Sequence, residues 1–180
     1  MTALLARPKL GEHPFVAGAP PEFIEELAHF EDEVEFKEGD ILIREHEYAS
    51  TFYLILEGEI AVEISGEGTK PSLVQKLRGG DVLGWSWLYP PYMWHFTARV
   101  VKNGKAIAFN APALVVHAEQ DPKFGYQLMK RLTAHLIQRL KHTCDLLHEQ
   151  EAKLANAKAQ PEPFAYPGRR TNLPPEPSSQ

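Results

Sequence analysis

Little in this chain of 180 residues points outward to chemistry. It has one cysteine, Cys144, so no intrachain disulfide can form, and the thiol falls within a helical pattern. A reducing, cytoplasmic setting is the expectation. Long apolar runs are also missing: neither the N-terminus, with Leu4 and Leu5, nor any later window reaches the roughly eighteen apolar residues of a membrane span, and no secretory signal is legible. Basic residues are in deficit, 19 against 24 acidic, and a net charge of −5 offers no general attraction to nucleic acid or anionic lipid. The histidines form no closely spaced pair with a following glutamate; His46 and His117 stand alone. Nucleophile elbow, Walker loop, paired-carboxylate set and cysteine-rich zinc pattern are all lacking. The sequence therefore predicts no enzyme, no metal and no cofactor.

What the chain does have is one dense aromatic stretch. The twelve positions from Trp85 to Phe96 hold six of the eighteen aromatic residues, including all three tryptophans. From Gly80 to Ala98 the run reads G-D-V-L-G-W-S-W-L-Y-P-P-Y-M-W-H-F-T-A. Gly84 opens a short helical step that Pro90 and Pro91 stop, since Pro91 lacks an N–H and restricts the residue before it. Such a turn can present the backbone N–H groups of Ser86 and Trp87 to an anion while the rings cover a pocket. The candidate ligand site is accordingly Gly84, Trp85, Ser86, Trp87, Trp94, His95 and Phe96.

Around this stretch the periodicity changes twice. Residues 1–13 carry no period and read as an N-terminal arm. Pro20 and Pro21, followed by Glu22, Glu25 and Glu26, open a helix from about Pro21 to His29, with Phe23, Ile24, Leu27 and Phe30 on one face. Period two takes over in Val34–Phe36 and Ile41–Ile43. Phe52–Leu56 and Ile60–Ile64 read as a hairpin turned at Gly58. Leu73–Leu77 is the next strand, and Ala98–Val101 and Ala106–Phe109 form a pair joined by a turn at Lys102–Lys105. Seven or eight short strands at this spacing predict a mainly β chain with flanking helices. The architecture is an antiparallel jelly-roll barrel (double-stranded β-helix) with an N-terminal helix and a long C-terminal helix.

The C-terminal helix starts at Pro122 and holds for nearly forty residues. Leu128 and Leu132 begin its apolar side, and Leu136, Leu140, Thr143, Leu147 and Leu154 continue it as a heptad-like seam. The first half is expected to pack on the strands and the second to pair with a second chain as a homodimer. Beyond Ala159 lie six of the fifteen prolines, and this closing segment reads as a disordered tail. The expected organisation is an arm (1–13), one domain including the dimerisation helix (14–159), and the tail (160–180).

Gly39-Asp40, Leu54 to Ile60 and Gly80-Asp81-Val82-Leu83-Gly84, followed by a long helix, resemble the cyclic nucleotide-binding domain of catabolite-activator-type regulators and of cyclic-nucleotide-dependent kinases and channels. The resemblance covers roughly residues 14 to 150. In that family a glutamate follows the cassette's last glycine and holds the ribose hydroxyl, and an arginine further on pairs with the cyclic phosphate. The matching positions here are Trp85 and Trp94, ten residues after Gly84. An indole offers one donor and no positive charge, so the resemblance implies the domain without its two polar anchors. The form G-W-S-W-L-Y-P-P-Y resembles cassettes in other bacterial proteins that look like this domain. His95, beside the lost arginine, alternates with Thr97 and Arg99 and would restore some positive charge if that face met the pocket.

Two readings follow. In the first the chain is a non-enzymatic sensor or regulatory module that does not bind cyclic AMP through the usual contacts and takes a different ligand or a protein partner. The alternative is a structural adaptor without a small-molecule ligand, its pocket filled by its own aromatics. Family regulators carry a winged helix-turn-helix after the long helix, where this chain has its proline-rich segment. No DNA binding is therefore expected, and Arg169-Arg170 is too small a basic patch to supply it.

Overall fold

The computed structural model describes residues 8–66 and 70–159; the expectations for residues 1–7 and for the tail at 160–180 lie outside the described residues. Strand alternation runs further along the chain than its turn signals suggest. β1 (Glu31–Phe36) and β2 (Ile41–Ile43) both pair with the fourteen-residue β6 (Thr97–Asn110), while β4 (Ser72–Arg78) and β5 (Val82–Leu83) pair with the equally long β3 (Thr51–Ile64). β3 and β6 are themselves antiparallel partners, and every pairing in this six-stranded sheet is antiparallel. The jelly-roll class with flanking helices is thus the observed one.

Both turns expected inside the long strands are corrected. A Cβ on Gly104 would sit 2.0 Å from the Glu57 carbonyl oxygen, and one on Gly58 would sit 2.8 Å from that of Lys102. These neighbours are backbone and cannot give way. The β3–β6 register shifts between Ile55 and Glu57, between Glu57 and Glu59, and between Glu59 and Ile60. Bulges of this kind bend a strand without ending it. Gly58 and Gly104 therefore permit close approach of two backbones where the sequence suggested two reversals, and two long strands replace four short ones.

The N-terminal arm is corrected from Pro8 onward. α1 (Pro8–Glu12) and a 3₁₀ turn at Pro14–Val16 bury Leu10, Phe15 and Val16. His13 fastens them to β3: its Nδ1 accepts the Phe15 N–H at 3.1 Å, so Nε2 carries the proton and donates to the Ile55 carbonyl, also at 3.1 Å. A helix of five residues is too short to leave a readable period. α2 (Pro21–Leu27) starts on Pro21 as expected and closes in a 3₁₀ turn at Ala28–Phe30.

Two further helices follow the sheet. α3 (Ala111–Gln120) is capped by Asn110, whose side-chain oxygen accepts the Ala113 N–H at 3.0 Å. α4 (Pro122–Ala159) is capped by Asp121, which accepts from Lys123 and Phe124 at 2.8 and 3.1 Å. These backbone bonds, Phe124 first, hold the Asp121 carboxyl below its usual range. Phe124, Leu128 and Leu132 recur every fourth residue and are buried. A clasp ties α2 to α3 and α4: His117 Nε2 meets Glu26 at 3.0 Å, Phe23 and Phe124 lie 5.2 Å apart, and the Arg131 guanidinium lies 4.9 Å from the centre of the Phe23 ring.

The chain divides into two compact units, one ending at Gln138 and one beginning at Arg139. The boundary falls inside α4. In the second unit the described residues continue the helix, with Leu140, Leu147 and Leu154 57–65% exposed.

Candidate functional site

The cassette begins where β5 ends. Gly84 has φ +91°, a left-handed conformation that side chains resist, and its carbonyl accepts the Trp87 Nε1–H at 3.2 Å. This bond turns the Trp87 indole inward. Its ring lies 6.0 Å from Phe52, which packs at 5.3 Å against Phe15 and 5.4 Å against Phe109. Trp87 is thereby part of the core, 3% exposed. The helical step expected after Gly84 is a single 3₁₀ turn, Ser86–Leu88, in which the Leu88 N–H donates to the Trp85 carbonyl at 3.0 Å. Ser86 is buried, and its hydroxyl makes no hydrogen bond within the described protein.

Trp94 returns to the same place from the far end of the aromatic run. It is 4% exposed, and a Cβ on Gly84 would lie 2.8 Å from its Cη2 and 3.2 Å from its Cζ3. The indole therefore rests directly on the glycine. Backbone bonds hold it there, since the Trp94 N–H donates to Glu47 and its carbonyl accepts from His46, both at 2.9 Å. The Ala49 N–H reaches the Tyr92 carbonyl at 2.7 Å, and Tyr48 bridges Met93. Phe96 lies 6.4 Å from Trp94 and 5.6 Å from Trp85, linking the three rings, of which Phe96 and Trp85 are half-buried.

Six of the seven expected site residues thus gather at one place, and His95 does not. Along this segment Trp94, Ala98 and Val100 are buried, which directs His95, Thr97 and Arg99 to the opposite face. His95 is exposed, the Thr97 hydroxyl accepts the Glu45 N–H at 3.2 Å, and Arg99 pairs with Glu63 at 3.5 Å. The condition under which His95 and Arg99 would lend the pocket positive charge is therefore not met, and Arg99 is engaged with Glu63. Residues 46–49 are the component the sequence did not reveal. In sequence Arg44, Glu45, His46 and Glu47 read as a solvated turn, and no side-chain pattern marks a loop that works through its backbone.

The residues of the expected dimer seam fall in both units. Leu136 is half-buried in the first unit, whereas Leu140, Thr143, Leu147 and Leu154 are exposed in the second. Among the described residues no group of three His, Cys, Asp or Glu side chains could hold a metal ion, and no helix is long and apolar enough to cross a membrane.

Residues 33–120 match the family model described as cyclic nucleotide-binding domain. Similar solved structures include a protein described as cyclic nucleotide-binding from Geobacter metallireducens GS-15, 26% identical over 75% of this chain and 98% of that one, with a TM-score of 0.67. A cyclic nucleotide-binding domain from Methylobacillus flagellatus KT is 18% identical over 72% of each chain, at a TM-score of 0.64. The catabolite activator protein of Thermus thermophilus is 16% identical over 77% of this chain and 63% of its own, at 0.61. The last two carry the likeness of fold alone. No curated protein sequence matches the chain.

Proposed function

With residues 33–120 belonging to the cyclic nucleotide-binding domain family, we propose that this chain is a non-enzymatic regulatory module whose nucleotide pocket is filled by its own side chains and which acts through a protein partner. The burial of Trp94 against Gly84 carries this reading. Trp94 stands where the family's arginine grips the phosphate, and Trp85 where its glutamate grips the ribose. Losing a charge-paired hydrogen bond in a pocket commonly costs about 2–5 kcal/mol. Here two such anchors are replaced, and an indole lies over the glycine that the ligand would approach. The cassette amides offer weak compensation, because a single 3₁₀ turn aligns too few peptide dipoles to act as a strong anion site.

The module dimerises through Leu136, Leu140, Thr143, Leu147 and Leu154 of α4, within a functional domain reaching to residue 159. It works in the cytoplasm, where the exposed thiol of Cys144 stays reduced. Its net charge of −5 keeps it off DNA.

Thermal shift and calorimetric titration with cyclic AMP, cyclic GMP and cyclic dinucleotides test the reading. The expected result is no shift at 1 mM ligand, because stabilisation grows with occupancy as RT ln(1 + [L]/Kd). Saturable uptake of cyclic AMP at about micromolar Kd, lost in Trp94→Ala, would overturn it. A second reading has its own observation: Trp85 and Phe96 are half-buried at 5.6 Å separation, beside the unpartnered Ser86 hydroxyl. A flat ligand other than a cyclic mononucleotide would stack there, and a shift confined to such a compound would favour this reading.

A further inference from the structure

Two grooves flank the first turns of α4. One, of about 460 Å³, lies between the cassette turn and α3 and is lined by Trp87, Tyr89, Met129 and Glu119. The other, of about 390 Å³, lies against α2 and is lined by Phe23, Glu22, Glu26 and Asp121. Pro122 and Tyr126 line both, so the two form one continuous surface. Tyr89 is 71% and Tyr126 64% exposed, an apolar outlay that a folded unit does not need for its own packing. Among the lining residues charge has one predominant sign, with four carboxylates against Lys123, and Arg131 lies over the Phe23 ring. Glu26 holds His117 and Asp121 caps α4, but Glu22 and Glu119 meet no cation among the described residues.

We propose that this acid-rimmed aromatic surface docks the proline-rich segment 160–180 of a second copy of the chain. Aromatic-lined grooves suit proline-rich peptides, whose rings present flat apolar faces and whose backbone carries few donors to desolvate. Acidic residues at the rim select peptides that also bear arginine. The segment 161–177 reads P-E-P-F-A-Y-P-G-R-R-T-N-L-P-P-E-P, which supplies both features: Arg169 and Arg170 fall between two proline groups, and Phe164 and Tyr166 precede them. The groove shares Trp87 with the cassette, but the inference requires neither the Trp94–Gly84 contact nor the α4 seam.

The test is photo-crosslinking in the full-length chain with p-benzoylphenylalanine replacing Tyr126, a side chain exposed enough to be exchanged without unfolding. Isotopically heavy and light copies are mixed, so that a crosslink between copies carries both labels. Mixed-label crosslinks from position 126 into residues 160–180 are expected, reduced at least about tenfold by Arg169→Ala with Arg170→Ala and by Glu22→Lys with Glu119→Lys. Crosslinks that form only within one copy, that map to another segment, or that ignore both charge changes would overturn the proposal, as would their absence. Circular dichroism of each variant verifies the fold.

Discussion

Counted from Gly84, Trp94 and Trp85 fall where the resemblance implies the two polar anchors, yet their surroundings give them different roles. Trp94 is 4% exposed and lies against Gly84, whereas Trp85 is half-buried beside Phe96. Removing a buried aromatic side chain loses its transfer free energy and leaves a cavity, together about 3–5 kcal/mol. Trp94→Ala should therefore destabilise the chain by about that amount, while Trp85→Ala should cost about 1 kcal/mol or less. Denaturant unfolding of the two variants measures the contrast. Equal and small effects would mean that the Trp94 indole is not part of the packing and is free to receive a ligand. The sequence could show that both positions counted from Gly84 are aromatic. It could not show which ring turns inward, because that choice rests on the backbone bonds of Glu47 and His46 to Trp94.

Among the elements, α4 carries the clearest division of labour. Phe124, Leu128 and Leu132 are buried in the first unit, and the same stripe continues through Leu140, Leu147 and Leu154, which are exposed. An isolated amphipathic helix gains little from leucines in water, so such a seam gains stability by pairing with another copy. Leu140→Lys with Leu147→Lys should halve the mass measured by light scattering without changing the melting temperature of the first unit. A dimer that survives both lysines would remove the seam from the interface. This stripe was legible because helical spacing persists over many turns. The bend shared by β3 and β6 was not, because a glycine that admits a neighbouring backbone, as Gly104 admits Glu57, is identical in sequence to one that reverses the chain. α3 was overlooked for a different reason: its Asn110 cap and early Pro112 were readable, but ten residues with weak amphipathicity gave no period to confirm them.

At the scale of the whole molecule, acid should weaken the fold in two separate windows with different causes. His13 and His135 are held below the usual imidazole range chiefly by burial; for His13 the Ile55 bond and Asp81 partly oppose this, and for His135 Asp81 does. A histidine that stays neutral in the fold is protonated first in the unfolded chain. Its contribution is complete above the ordinary value of 6.5 and declines as pH falls below it. Geometry makes His13 the more sensitive of the two, because a proton on Nδ1 would face the Phe15 N–H that it now accepts. Glu35, Glu59 and Asp121 act in the same direction in a lower window and for a different reason: salt bridges or backbone bonds lower their values, so their contribution is present above the ordinary carboxylate range and lost as pH falls through the folded values. Glu35 and Glu59 are paired at the surface, so added salt should blunt their window. The histidine window arises from burial and should be indifferent to salt. The denaturant midpoint is therefore expected to fall between pH 7.5 and 5.5 equally at low and high ionic strength, and to fall less steeply in His13→Gln, with a remainder from His135. A slope that disappears in salt would assign the effect to surface pairs, and one unchanged in His13→Gln would remove this histidine as its source.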